Sequence, residues 1–490
     1  MKIRRRNRRR MVIFGLALFI AAFALVYVGI RFFTRAGIFH KPGVVYYEEG
    51  LDEDQLSILQ GIFTDEVILK SDVHISTYST TEKPELMNGE YIYNIMVPVT
   101  DYYDTRVDSS EFDNVDMIPL DELDFTKKLL SLNGKYYLDD FDKGAYFQIV
   151  KFDSERFSEE IAPLVDSNFN KDWPDATNIL TFAQTGVTAM SRGMHSKLSA
   201  TGGDATFFSS QIKDYLSKFD LTHTSNEASF TASATTDNIC SDPRFLDTLL
   251  DIGLDIVELT GNHNLDCGID AALDTLDLYD KNNIKVVGGG RTAEEAAMPL
   301  KINQKGTNIT FLAYNLSTGG ATYDDTPGAN QYYEENAMKE ITSAKDRGDT
   351  VIVDIQYYEC SAYDSTTEDT TCDYADSAAG DQIGFFRHLI DLGADVVVGT
   401  SAHQPQTFEL YGGGVIYYGL GNLFFDQYWW PGTTRSLILG HYFHNGKLLQ
   451  TRITPTVYDS NMQPKLMNID DMKWYIGRLT KARPDAEQDK

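Results

Sequence analysis

The residues of this chain with chemistry to offer stand at the ends of short apolar runs. The sharpest case is Leu254-Asp-Ile-Val-Glu-Leu-Thr-Gly-Asn-His-Asn-Leu-Asp-Cys-Gly268. Leu254 to Leu259 has the length and composition of a buried strand. Asn262, His263, Asn264 and Asp266 follow at once, and a helical pattern carrying Leu273, Leu276 and Tyr279 on one face begins near Ile269. Where a strand hands over to a helix, open α/β sheets bind their ligands. A helix-capping turn accounts equally well for Asn264 and Asp266. The Asn262-His263 pair goes beyond a cap, and a site built on it needs partners elsewhere.

Such partners recur at other strand ends. They are Asn226 with Glu227, Gln356 with Glu359, His403, and Asn422 with Asp426. His, Asn and carboxylate groups from successive strands suit a hard or borderline divalent ion, which would activate water and clamp an oxyanion. Arg192 closes the block Gln184-Thr-Gly-Val-Thr-Ala-Met-Ser-Arg192. It is placed either to face an anionic substrate or to start a helix. His195 and His223 read as ordinary polar residues.

The elements that must position these groups alternate from Asn178 onward. Strand signals lie at Ile179–Ala183, Leu254–Leu259, Ile284–Val287, Ile309–Asn315, Val351–Gln356, Ala394–Val398 and Gly414–Tyr418. Helical signals lie at Gln211–Phe219, Phe245–Ile252 and Gln382–Leu392. The alternation predicts an α/β domain over 178–458. Residues 459–490 add a helix (Met472–Thr480) and a polar tail. Residues 37–172 carry strand signals at Tyr91–Val99 and Tyr146–Phe152, a short helix within Gly50–Leu69, and no chemical motif; they predict a small accessory α+β domain.

The N-terminus is of another kind. Residues 1–10 hold seven positive charges, and Met11 to Ile30 is a twenty-residue run with none. That length spans a bilayer as a helix, and the basic flank keeps the N-terminus in the cytoplasm. No small-x-small cleavage site follows, so the run is expected as a single-pass transmembrane anchor in the cell membrane, with the main body extracytoplasmic. Residues 1–36 carry nine Lys/Arg and no acid; with a total of −29, the remaining residues carry −38. A body that acidic repels nucleic acid, which is excluded as a partner. The four cysteines are Cys240, Cys267, Cys360 and Cys372. An even count in an exported domain favours disulfides. Three connectivities are formally open; the expected one pairs 360 with 372 and 240 with 267.

Taken in order, five blocks resemble a known family: Ser225-Asn-Glu-Ala-Ser; Thr260-Gly-Asn-His-Asn-Leu-Asp-Cys-Gly; Val287-Gly-Gly-Gly with Glu295-Ala-Ala-Met-Pro299; Gly393-Ala-Asp-Val-Val-Val-Gly399; and Tyr418-Gly-Leu-Gly-Asn-Leu-Phe-Phe-Asp426. They are similar to the blocks of the CapA-type poly-γ-glutamate capsule synthesis proteins, from about Ile179 to Asp426. The resemblance implies a metallophosphatase-like sandwich of mixed β-sheets flanked by helices. It implies one divalent metal ion (Mn, Mg or Zn) on Glu227, Asn262, His263 and His403, with His263 or His403 as general acid or base. Arg192, Asn226, Asp266, Gln356 and Asn422 would then surround the substrate. The implied partners are a cell-envelope polymer and a membrane synthase complex, beside the cytoplasmic membrane that the N-terminal run itself predicts.

The departures bear on that reading. The family's Gly-Asp block reads Gln184-Thr-Gly-Val-Thr here, its His-Trp-Gly reads Gln356-Tyr-Tyr, and its Gly-His-x-Pro-His keeps only His403. Neutral residues stand at three ligand positions. Two alternatives therefore accompany a role in polymer synthesis or attachment: a non-catalytic polymer-binding or assembly scaffold with a degenerate metal site, and a metal-dependent phosphoesterase.

Overall fold

A computed structural model describes residues 43–47, 53–64, 69–169, 171–317, 319–357 and 382–484. The chain divides into two compact units. The smaller comprises the described residues up to Met96 together with Asp142–Trp173, and the larger comprises Val97–Phe141 and Pro174 onward. The segment expected as one accessory domain, 37–172, is thus shared between them, with 97–141 grouped in the larger unit.

In the smaller unit the strand Lys143–Asp153 lies between Val73–Glu82 and the first part of Glu90–Asp101, antiparallel to both. Val45–Tyr47 adds a parallel edge to Val73–Glu82. Helices Glu53–Ile62 and Ala162–Phe169 close one face, with Leu59 and Val165 packed against Val73, Ile75, Val150 and Phe152.

The larger unit is built on two mixed sheets. The first runs, in spatial order, Lys285–Val287, Ile256–Glu258, Leu221–Asn226, Ile179–Thr188, Arg435–His444, Lys447–Val457 and Lys465–Leu466. Its first four strands are parallel and the rest antiparallel. The second sheet runs Leu300–Gln304, Thr307–Asn315, Thr350–Gln356, Val396–Thr400, Gly414–Tyr417 and Phe408–Tyr411, with four parallel central strands and antiparallel edges. Phe182, Leu437 and Leu439 of the first sheet share one core with Phe311, Ile352 and Val396 of the second. Helices cover the outer faces. Ile269–Lys281 and Leu246–Asp251 lie on the first sheet through Leu276, Tyr279 and Leu249. Glu334–Asp346 and Gln382–Asp391 lie on the second through Ile341, Phe386 and Leu389. Every residue of Thr350–Gln356 is buried. A parallel strand covered on both faces does not alternate apolar with polar, and its run Val351-Ile-Val353 reads that way, with Asp354 the one acid in the strand.

The α/β class expected from the alternation holds. The helix expected over Gln211–Phe219 is reduced to Lys213–Leu216, because Ile212 leaves helical geometry at φ −121°. Periodicity does not announce the long hairpin of Arg435–His444 and Lys447–Val457. Its signal is the dipeptide Asn445-Gly446, whose φ values of 50° and 75° are those a two-residue turn requires. Among the described residues no helix is long and apolar enough to cross a membrane. The span expected at 11–30 lies outside the described residues, as do Glu359, Cys360 and Cys372. The expected Cys240–Cys267 disulfide is formed.

Candidate functional site

The carboxyl ends of parallel strands from both sheets meet at one edge of the larger unit. Leu221–Asn226 delivers Glu227, and Ile256–Glu258 delivers the turn with Asn262 and His263. Thr350–Gln356 ends on Gln356 itself, and Val396–Thr400 leads to His403. Asn422 begins a short strand, Asn422–Phe424, laid parallel to the end of Ile179–Thr188. Gly261 permits the approach of two of these. A Cβ on it would stand 2.7 Å from Glu227 Cα, so no larger residue leaves Glu227 and Asn262 side by side.

Gln356 is the centre of the arrangement. Its Oε1 accepts from Thr400 Oγ1 at 3.0 Å. The Glu227 carboxylate only accepts, so Nε2 is the end that faces it, donating to Asn262 Oδ1 at 3.0 Å and, more weakly, to Glu227 Oε1 at 3.4 Å. The second oxygen, Glu227 Oε2, is buried with no hydrogen-bond partner among the described residues and lies 3.9 Å from His403 Nε2. His403 is oriented from behind. Asn422 Nδ2 donates to Gln427 Oε1 and to the Thr433 carbonyl, which leaves Asn422 Oδ1 as the acceptor for His403 Nδ1–H at 2.8 Å. The ring also lies against Phe425, 5.1 Å between centroids. Glu227, Gln356, His403 and Asn422 are all buried.

Other expected site residues fall outside this chain of contacts. His263 turns its Nδ1 to Asp266 Oδ2 at 2.8 Å, at a partly exposed turn. Arg192 is held by Asp426, with 2.6 Å from its guanidinium to Oδ1, and its charge sits over the Phe425 ring. Asp426 Oδ2 also accepts from Gly193 N. Arg192 therefore closes the first block onto the last. Asn226 bonds the Ala228 carbonyl, and its Oδ1 is buried without a partner among the described residues. Asn264 is the turn-former, bonding the Leu259 carbonyl. The Cys240–Cys267 disulfide ties the loop beyond Glu227 to the loop beyond His263.

The expected ligand set does not fit a divalent ion. Such an ion takes several oxygen or imidazole donors at about 2.0–2.6 Å. Here one carboxylate and one imidazole converge, while His263, whose Nδ1 bonds Asp266, lies outside their contacts. Between Glu227 Oε1 and Asn262 Oδ1 stands an amide N–H, a donor where a cation would need acceptors. Among the described residues no three His, Cys, Asp or Glu side chains gather as a metal-holding group.

Beneath the site runs a second polar chain. Thr451 Oγ1 and His441 Nδ1 are 2.8 Å apart, and His441 Nε2 faces Gln184 Oε1 at 3.3 Å. Gln184 Nε2 donates to Asp354 Oδ1 at 2.5 Å, and His223 Nε2 lies 3.1 Å from Asp354 Oδ2. Burial, then the neighbouring His223, pushes His441 down to about 3, so it is neutral. Burial, then the Asp354 charge, pushes Glu258 up to about 7. Sequence reasoning passed over Asp354, Glu258 and His441. A single acid inside Val351-Ile-Val-Asp-Ile355 was the available signal, since a charge in a fully buried strand needs a partner.

The fold and site define a class: a layered, mixed α/β protein with a polar cluster at the carboxyl ends of its parallel strands. Residues 181–427, half of the chain, match the family described as "Bacterial capsule synthesis protein PGA_cap", and the chain belongs to that family. It is 29% identical over 237 residues to the PGA biosynthesis protein CapA of Bacillus subtilis, covering 48% of this chain and 59% of that protein. It is 25% identical over 235 residues to the capsule biosynthesis protein CapA of Bacillus anthracis, covering 47% of this chain and 54% of that one. The chain thus spans somewhat more than half the length of these curated relatives.

Proposed function

We propose that this protein takes part in the synthesis or attachment of a capsule or cell-envelope polymer of the poly-γ-glutamate kind, holding or positioning polymer or a synthase partner without metal chemistry. The observation that carries the reading is the Gln356 amide seated between Glu227 and Asn262. The family membership and the names of the relatives point to the polymer. The amide disfavours a metal-dependent phosphoesterase, because that reaction needs an ion where the N–H stands. Residues 11–30 anchor the chain in the cell membrane with the N-terminus cytoplasmic and the body outside, as the basic flank favours.

A second reading stays close to the first. Glu227 Oε2 and His403 Nε2 lie 3.9 Å apart, a carboxylate and an imidazole at one strand-end cluster. The pair would then serve as general base and acid in a metal-free step at the polymer.

In a polymer-producing host dependent on this protein, His403→Ala and Glu227→Gln should lower cell-associated polymer while leaving the protein abundant. Normal polymer with both variants removes the site from the function. Polymer that is made but released into the medium favours attachment over synthesis. Metal analysis of the purified protein separates the remaining alternative, since a stoichiometric divalent ion would overturn the metal-free reading. Protease added to spheroplasts should digest the body and spare an N-terminal tag; the reverse pattern overturns the orientation.

A further inference from the structure

Away from the strand ends, the larger unit contains a cavity of about 430 Å³ between the 97–141 segment, the strand Lys447–Val457 and the C-terminal helix Ile469–Lys481. That volume is within the usual range for small-molecule sites, about 300–1,000 Å³. Its wall is mainly apolar, from Tyr102, Phe408, Met467, Met472 and Ile476. Leu466 and Ile469 continue the apolar surface outward at its rim and are 39% and 52% exposed.

The charges around the cavity are matched except for one. Arg452 pairs with Asp139 at 2.6 Å. Asp104 takes the Arg106 guanidinium on both oxygens, and Glu111 takes Lys473. Lys128 remains. Its Nζ donates to the Asp104 carbonyl at 2.6 Å and forms no ion pair among the described residues. Burial holds its ammonium down to about 8, against the pull of Asp104 and Glu111 and with the push of Lys473 and Arg106. An unmatched cation on the wall of an apolar cavity is the arrangement that recognises an apolar body with one anionic end.

We propose that this cavity binds a single-chain amphiphile bearing one carboxylate, with the head on Lys128 and the acyl chain among Met467, Met472 and Ile476. A single negative charge balances the one unmatched ammonium. A phosphate dianion would leave excess negative charge beside Asp104 and Asp139. The two methionines, flexible and polarizable, adapt to a chain better than rigid walls would. The site is separate from the Glu227–His403 cluster and does not depend on the function proposed for it.

Titration calorimetry of the full chain with decanoate, and with decanol as the neutral analogue, tests the assignment. Decanoate should bind saturably at one site and more tightly than decanol. Lys128→Met should weaken decanoate by about ten-fold or more, the scale of one charge-assisted hydrogen bond, and leave decanol unchanged. Lys128→Arg should retain decanoate. Near pH 8.5, decanoate binding should take up protons, visible as an enthalpy that varies with buffer ionisation, because the anion restores the ammonium. Should Lys128→Met fail to fold, Ile476→Trp, which fills the cavity, should abolish binding of both probes. Absence of saturable decanoate binding overturns the site. Equal affinity for decanoate and decanol, or decanoate binding indifferent to Lys128→Met, overturns the role of the lysine.

Discussion

His403 Nε2 faces Glu227 Oε2 across 3.9 Å, and the two are brought there by strands of different sheets. Neither residue chooses this distance alone. Asn422 sets the ring of His403, and Gln356 sets the carboxylate of Glu227.

Gln356→Leu should therefore cost stability. It leaves Thr400 Oγ1, Asn262 Oδ1 and Glu227 Oε1 without their amide partner in a buried place. The expected loss is about 2–3 kcal/mol, the desolvation cost of stranded polar groups. Urea unfolding reads it as a lower midpoint with an unchanged slope. A midpoint equal to wild type would remove the amide from its structural role.

Glu258 makes stability fall as pH rises. Its folded-state value near 7 stands above the ordinary 4.5, so between these values the folded state holds a proton that the unfolded state has lost. Its contribution is fully present below about pH 4.5 and is lost as pH rises through about 7, by roughly 3 kcal/mol at most. Unfolding midpoints at pH 5 and 7.5 should differ less for Glu258→Gln than for wild type. A steeper dependence in the variant contradicts the assignment.

Arg192→Ala should destabilise by about 2 kcal/mol. It strands the Asp426 carboxylate, whose side chain is only 4% exposed, and the solvent access of Arg192 itself keeps the figure below that of a fully buried pair. Asp426→Asn in the same chain should recover part of the loss, because no charge is then left unpaired. Thermal melts of the two single variants and the double variant complete the cycle.

Reducing the Cys240–Cys267 bond, or replacing both residues with serine, should cost about 3.5 kcal/mol by the loop-entropy estimate for a separation of 27 residues. The loss should appear in melts with and without reductant. An unchanged melting temperature in the double-serine variant would show that the bond is not structural.

Local order decided much of this protein, and the sequence carries it. The run Leu254–Leu259, the polar turn and the helix Ile269–Lys281 are visible because apolar spacing and turn chemistry are properties of neighbouring residues. The same holds for most of the parallel strands, whereas Cys240–Cys267 belongs to one of three connectivities that the sequence leaves open. The family, too, is legible in the order of its blocks.

Which polar groups meet was decided only by the tertiary structure. His263 adjoins Asn262 in sequence, yet it turns to Asp266, while Gln356, 94 positions from Asn262, reaches its oxygen. The Asp354–Gln184–His441 chain and the grouping of 97–141 with the larger unit are of the same kind. Contacts between two sheets depend on strand register and on the rotamers that burial allows. No periodicity along the chain encodes either. A site assembled from five strand ends is therefore visible in sequence as a set of candidates, and becomes a hydrogen-bonded cluster only when the sheets close on each other.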